Sequence, residues 1–179
     1  MRDVSYRVAL GGIVAALCLI AMFLAGILPA FYLILPMIAG VLMMIIAAEV
    51  STKWALLTYI AVSLLSLLIT ADKEAALIFI MLFGHYPILR FYLQKMNFGI
   101  LRFAVKLIIF NICVLSFFYM TVYIFGIKEM LEQFEEFGKY SGVIMLAMSN
   151  VIFLLYDYNL GMVYIIYRKH FMPKFRRKK

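Results

Sequence analysis

The sequence predicts an all-α integral membrane protein that crosses the bilayer about six times. Of its 179 residues, 67% are hydrophobic and only 15% are charged, which is more apolar surface than a soluble domain buries in one core. From Val8 to Ala48 there is no Asp, Glu, Lys or Arg, a run about twice as long as the ~20 residues that one spanning helix needs. Because the segments are apolar on all sides and do not alternate, they are predicted to be helices and not barrel strands.

Six apolar segments separated by short polar turns are the predicted spans, and together they form one transmembrane domain covering 1–179. The spans are 8–28, 32–48, 53–70, 74–93, 100–125 and 141–167. Pro29 and Pro36 bracket the first turn. The second segment is short, so we predict that this helix tilts little or crosses the bilayer incompletely.

Lys and Arg are distributed unevenly between the two sides of this layout. Fourteen of the 17 lie on the side of the chain termini. Since basic residues accumulate on the cytoplasmic side, both termini are predicted to lie in the cytoplasm, with the spans in the cell membrane. The basic tail, 168–179, directly follows a span, which favours contact with an anionic lipid surface over binding to nucleic acid.

The longest connection, 126–140, is predicted to be a short amphipathic helix on the outer surface. Its apolar residues recur at helical spacing, and its four Glu lie elsewhere around the turn. Two roles are open for this outer loop. It seats the chain against lipid headgroups, or it covers an outward-facing cavity as a lid.

A few polar residues fall inside the predicted spans, where each needs a partner or a cavity. His85, Asn111 and Asn150 are expected at a similar depth near the midplane. The fourth span is also interrupted by Gly84-His85-Tyr86-Pro87, and Pro87 frees the carbonyl of Phe83. Two interpretations are open: these residues hold helices together by hydrogen bonds, or they line a ligand pocket at the break.

A second layer of charged residues lies nearer to the predicted cytoplasmic side. Arg90 and Asp157 are expected at equal depth, and Glu49 and Lys106 lie close to that level. A network of two acids and two bases would neutralise charges that are expensive when alone in a membrane. The network is interpreted either as a structural clamp or as a latch or partner-docking site.

The sequence lacks the residue patterns of common catalytic sites. It contains two His and two Cys, and it has no zinc-binding pattern, nucleophile motif or phosphate-binding glycine loop. Cys18 and Cys113 fall inside predicted spans, where packing is their expected role. We therefore predict no enzymatic activity, no metal and no cofactor, and any active transport would need a separate ATPase partner.

Small residues recur at the start of the first span. Within the run Arg7 to Leu17, two pairs of small residues are one helical turn apart, Gly12 with Ala16 and Gly11 with Ala15. This spacing lets helix backbones approach closely. Together with the chain length and the six-span layout, this run resembles the substrate-binding S component of energy-coupling factor (ECF) vitamin transporters. The resemblance implies that Gly12 and Ala16 contact a transmembrane coupling subunit, which works with ATPases.

The same resemblance implies uptake of a vitamin or another micronutrient. The pocket is expected in the outer half, at the break in the fourth helix and between the third, fifth and sixth helices. Three polar residues would orient the ligand and three tyrosines would supply stacking surface: His85, Asn111 and Asn150, with Tyr32, Tyr119 and Tyr123. None of the signatures of thiamine, riboflavin, biotin or folate binding is present, so the ligand is not specified.

Two alternatives share this layout. The six-span rod-shape-determining proteins of bacterial envelope assembly have a similar size, and they imply a non-catalytic scaffold without a ligand. A bacterial membrane protein of the same layout without transport activity is the third possibility.

Overall fold

The computed structural model describes residues 4–126 and 140–171. These residues form helices and turns without a strand, so the predicted all-α class is confirmed for this part of the chain. The helices are α1 Val4–Ile27, α2 Ile34–Glu49, α3 Thr52–Ile69, α4 Lys73–Ile78, α5 Tyr86–Leu93, α6 Gly99–Tyr119 and α7 Ser141–Ile166. The outer loop predicted at 126–140 and the end of the basic tail fall on 127–139 and 172–179, outside the described residues.

Five helical segments in the described part of the chain are long and apolar enough to cross a membrane. They are Val4–Ile27, Thr52–Ile69, Lys73–Leu93, Gly99–Ile124 and Ser141–His170. Helix α2 has only 16 residues, which at 1.5 Å per residue is ~24 Å, against a hydrocarbon core of ~30 Å. The chain is therefore membrane-embedded with at least five spanning candidates in its described part, and the short second segment is as predicted.

The segment Lys73–Leu93 lies at the centre of the helix bundle. Within its most apolar stretch 61% of the residues are buried, against 17% to 28% in the other four spanning candidates. On one side α1, α2 and α3 pack around Met22, Met43 and Phe79. On the other side α6 and α7 pack around Phe110 and Phe153, whose rings stack with centroids 4.2 Å apart. The outward faces carry many exposed large apolar side chains, as contact with lipid requires.

This central segment is broken in its middle. Residues Phe79–Phe83 form one π-helical turn, in which the amide of Gly84 donates to the carbonyl of Phe79 at 2.7 Å. Helix α5 then restarts with Pro87 in its first turn, where the missing N–H of proline costs nothing. The interruption predicted at Gly84-His85-Tyr86-Pro87 is therefore present.

Helix α2 approaches this break at Gly40. A Cβ atom at this position would overlap with the carbonyl of Phe83 and the hydroxyl of Tyr156. Since Tyr156 belongs to α7, the small residue lets α2, the broken helix and α7 meet at one point.

At the turn around Asp72, polar side chains cap the start of α4 and the end of α3. Asp72 caps α4 by accepting from the backbone amide of Glu74 at 2.8 Å, as expected of an N-cap aspartate. Lys73 donates to the carbonyls of Leu67 and Thr70 at the end of α3, at 2.8 and 2.9 Å. We call this side of the bundle the Asp72 end, and the opposite side, where α2 ends and α3 begins, the Glu49 end.

Candidate functional site

A cavity of about 260 Å³ lies at the Asp72 end of the bundle. It is enclosed by the turn before α2 and by α4, α6 and α7. Its lining residues are Tyr32, Leu33, Glu74, Ile78, Leu82, Val114, Phe117, Met145, Ser149 and Ile152. Most of this wall is apolar, and Tyr32, Glu74 and Ser149 supply its polar side chains. The arrangement suits a compact molecule with a largely apolar body and a few hydrogen-bonding groups.

The cavity overlaps only in part with the predicted pocket. Tyr32 lines it as expected, and so do the fourth, fifth and sixth predicted spans. The third span, α3, contributes no lining residue, and the turn before α2 takes its place. Glu74 was expected only as one of the loop residues that could add charge at the mouth of the pocket. Ser149 was not predicted, because a single Ser in an apolar span is a weak signal.

Tyr119 and Tyr123 do not line the cavity. Their side chains are exposed, at 59% and 71% of their maximum, and their rings contact each other with centroids 5.0 Å apart. Tyr119 and Tyr123 were predicted to stack against a ligand, and this prediction does not hold for the cavity. The two residues lie on outward faces of α6 and of the π turn that follows it.

Asn111 and Asn150 pair with each other across α6 and α7. The amide nitrogen of each donates to the side-chain oxygen of the other, at 3.1 and 3.0 Å. Each also donates to the carbonyl one turn earlier, Asn111 to Leu107 at 2.8 Å and Asn150 to Leu146 at 2.7 Å. All N–H groups of both amides are therefore used, and neither residue lines the cavity. This geometry is that of an interhelical hydrogen bond.

His85 lies at the helix break and is not among the residues that line the cavity. Its Nδ1 is 3.3 Å from the carbonyl oxygen of Ile80, and its Nε2 is 3.7 Å from Sγ of Cys113. The π turn has taken the usual donor away from the Ile80 carbonyl, which accepts a 2.7 Å hydrogen bond from the hydroxyl of Tyr59. His85 and Tyr59 thus stabilise freed backbone.

The carbonyl freed by Pro87 is satisfied in the same way. It belongs to Phe83, and it accepts a hydrogen bond of 3.2 Å from the hydroxyl of Tyr156 on α7. Two of the carbonyls at the break, those of Ile80 and Phe83, are therefore bonded to tyrosines of neighbouring helices. At these two carbonyls, protein hydroxyl groups stand where a ligand was expected, because burying an unpaired carbonyl is costly.

An ionic cluster forms around Asp157 in α7. Its Oδ1 accepts from Nε of Arg90 at 2.8 Å and from the hydroxyl of Tyr86 at 2.6 Å, and its Oδ2 accepts from Nζ of Lys106 at 2.7 Å. The three charged side chains are between 9% and 21% exposed. Three of the four residues predicted for the ionic network are thus brought together, in what we call the Asp157 cluster.

Glu49 does not join the Asp157 cluster. It is buried at the end of α2 and accepts a hydrogen bond of 2.9 Å from the hydroxyl of Tyr167. Among the described residues it is not within ion-pair distance of Arg90 or Lys106. Tyr86, which was not predicted to belong to the network, is the fourth member of the cluster. The signal for it is its position one turn before Arg90, on the same face of α5.

Gly12 and Ala16 lie on the outward face of α1. Both are exposed, and a Cβ atom at Gly12 would meet nothing within 4 Å. The neighbouring Gly11 faces the bundle instead, since a Cβ there would lie 3.6 Å from Oγ1 of Thr58. Of the two small-residue pairs, Gly12 and Ala16 are therefore the pair that a partner helix can reach.

Comparison with known proteins adds no relative. No protein-family model, no curated protein and no solved structure matches this chain. Within residues 4–126 and 140–171, no three His, Cys, Asp or Glu side chains are placed to share a metal ion.

Proposed function

We propose that this protein is a small-molecule-binding membrane subunit of a transporter, similar to the S component of ECF transporters. The observation that carries the proposal is the cavity at the Asp72 end, which has apolar walls and a small number of polar side chains. A binding subunit needs a preformed space of this kind, whereas a scaffold does not.

The volume and lining of the cavity restrict the ligand. About 260 Å³ is slightly below the range of roughly 300–1,000 Å³ that is typical of ligand pockets. The ligand is therefore compact. Val114, Phe117 and Ile152 favour an apolar or aromatic body, and Glu74 favours a hydrogen-bond donor or a positive charge on the ligand.

The remaining parts of the proposal concern the membrane and the partner. The chain would cross the cell membrane six times, with both termini in the cytoplasm. The short helix α2 would be a spanning helix in addition to the five spanning candidates. Gly12 and Ala16 would contact a transmembrane coupling subunit, because their exposed face of α1 allows close backbone approach. The coupling subunit and its ATPases would supply the energy for uptake.

The test is to purify the full chain in detergent and to identify by mass spectrometry any small molecule released on denaturation. The Ser149→Phe variant fills the cavity with a ring, and the matched control Met148→Phe adds a ring on the neighbouring, exposed position of α7. We expect a stoichiometric compound in the wild type and the control, and its loss from Ser149→Phe. No compound in any preparation, or equal recovery in both variants, would reject the binding site.

A second candidate function is a non-catalytic scaffold of cell-envelope assembly. The observation that favours it is that His85, Asn111 and Asn150 all bond to groups of the protein itself, as in a rigid structural bundle. The same purification separates the two candidates. Recovery of a coupling subunit with ATPases supports the transporter, and recovery of envelope-synthesis proteins without a small molecule supports the scaffold.

A further inference from the structure

The Asp157 cluster contains more positive than negative charge. Arg90 and Lys106 both bond to Asp157, and in the described part of the chain no second carboxylate is within ion-pair distance of either cation. Two bases therefore share one acid, and the cluster has a net charge of about +1 at neutral pH. An excess charge inside a membrane protein needs a counter-ion or a path to the membrane surface.

Donor groups of this cluster remain available. An Arg side chain has five N–H groups and a Lys side chain has three. Arg90 uses its Nε, and Lys106 uses one N–H, toward Asp157. The two terminal nitrogens of Arg90 make no hydrogen bond to the described residues, and the side chain is 13% exposed.

Gly161 shows where the free part of the guanidinium lies. Nη2 of Arg90 is 3.0 Å from the position that a Cβ atom of Gly161 would occupy. Since Gly161 lies one turn beyond Asp157 toward the Glu49 end, this nitrogen is near a residue on the Glu49 side of the carboxylate. Arg90 itself is three residues before the end of α5, or ~4.5 Å along the helix axis.

We infer that the Asp157 cluster binds a phosphate-type oxyanion at the Glu49 end of the bundle, held by the terminal nitrogens of Arg90 and by Lys106. The planar fork of a guanidinium matches two oxygens of a phosphate, and the oxyanion would balance the excess charge. The source is either the phosphodiester of a lipid headgroup in that leaflet or a free phosphate ion. This inference does not depend on the cavity at the Asp72 end.

The test uses the full chain, purified in a neutral detergent and stripped of lipid, with two probes measured separately. One probe is phosphatidylglycerol, counted as bound adducts by native mass spectrometry, and the other is inorganic phosphate, measured by calorimetry. Binding of the lipid alone identifies a headgroup site, and binding of phosphate identifies a site that also takes the free ion. Binding of neither probe overturns the inference.

Variants link the binding to the cluster. Arg90→Gln leaves Lys106 and Asp157 as a neutral pair, so the fold should persist. We expect the affinity for the bound probe to fall about tenfold or more, because one charge-assisted bidentate contact is lost. The matched control Arg102→Gln removes an equal charge from the same end of the bundle and should change affinity less than about twofold. Equal effects of the two variants would mean nonspecific attraction and reject the site.

Gly161→Val supplies a second, independent variant. It leaves every charge in place but fills the space beside Nη2 of Arg90. We expect loss of binding similar to that of Arg90→Gln, with an unchanged elution profile in size-exclusion chromatography. Unchanged affinity in a folded Gly161→Val protein would show that the terminal nitrogens of Arg90 do not hold the anion.

Discussion

Asp157 is the acidic side chain that pairs with both basic residues of the Asp157 cluster. It accepts three hydrogen bonds from three residues on two other helices. Without its carboxylate, Arg90 and Lys106 would repel each other in a region of low polarity. The chain therefore tolerates two bases at this depth only because one acid lies between them.

We expect Asp157→Asn to lower the free energy of unfolding by about 3 kcal/mol. This value is at the lower end of the range for breaking a buried ion pair, because the Asp157 side chain is 21% exposed. Arg90→Gln is the comparison, and it should cost clearly less because a neutral Lys106–Asp157 pair remains. Denaturant titration in mixed micelles measures both changes. Equal losses for the two variants would contradict the role of Asp157 as the shared partner.

The Asn111–Asn150 pair is a mutual contact, so its two members should not act independently. We expect each single change to Leu to cost ~0.6 to 1.7 kcal/mol, the measured scale for hydrogen bonds between membrane helices. The double variant should cost less than the sum of the single variants, because removing both partners leaves no unpaired amide. A double-mutant cycle on unfolding free energies measures this, and strict additivity would exclude the pair as a coupled unit.

At the scale of helices, the break between α4 and α5 is stabilised by its neighbours. The carbonyls of Ile80 and Phe83 bond to Tyr59 of α3 and Tyr156 of α7. Pro87 explains why the helix cannot continue smoothly, but it does not explain why the break is stable in the membrane. That stability comes from hydroxyl groups that two other helices supply.

Gly40 lets α2 approach this break, so it should not tolerate a side chain. We expect Gly40→Ala to lower the free energy of unfolding by about 1 to 3 kcal/mol through overpacking against the carbonyl of Phe83. The control Gly142→Ala adds the same methyl group where nothing lies within 4 Å, and it should be neutral or slightly stabilising. Thermal unfolding of both variants measures the difference, and equal stability would place α2 farther from the break.

At the scale of the whole molecule, the two ends of the bundle have different chemistry. The Asp72 end contains a mostly apolar cavity, and the Glu49 end contains the Asp157 cluster with its two bases. The outward face of α1 offers a third surface, lined by small residues. Under the two proposals, the cavity would bind the ligand, the Asp157 cluster would bind a phosphate-type oxyanion, and the face of α1 would bind the coupling subunit.

The proposed docking face is tested by replacing Gly12 with Leu. Because Gly12 is exposed and unobstructed, the variant should fold normally, yet its side chain would prevent close approach of another helix. We expect co-purification of any coupling subunit to be lost, while the control Ile13→Leu on the adjacent exposed position retains it. Unchanged complex formation by Gly12→Leu would reject this face as the docking site.

Part of this structure follows from the sequence because it depends on local physics. In lipid each spanning segment must satisfy its own backbone, so a run of apolar residues is sufficient to predict a helix. The break at Gly84-His85-Tyr86-Pro87 is also local, since it follows from the missing N–H of Pro87. The depth of Arg90, Lys106 and Asp157 follows from a constant rise per residue, and it predicted that they would meet.

Only the tertiary structure decided which polar groups are bonded to each other and which face the cavity. A span that is apolar all round does not indicate its rotation about its own axis, so Asn111 and Asn150 were predicted at the correct depth but not as partners. For the same reason, neither Tyr86 in the Asp157 cluster nor Ser149 in the cavity wall was predicted. Rotation is set by contacts between helices distant in sequence, such as the meeting of Gly40, Phe83 and Tyr156, and these exist only once the bundle has packed.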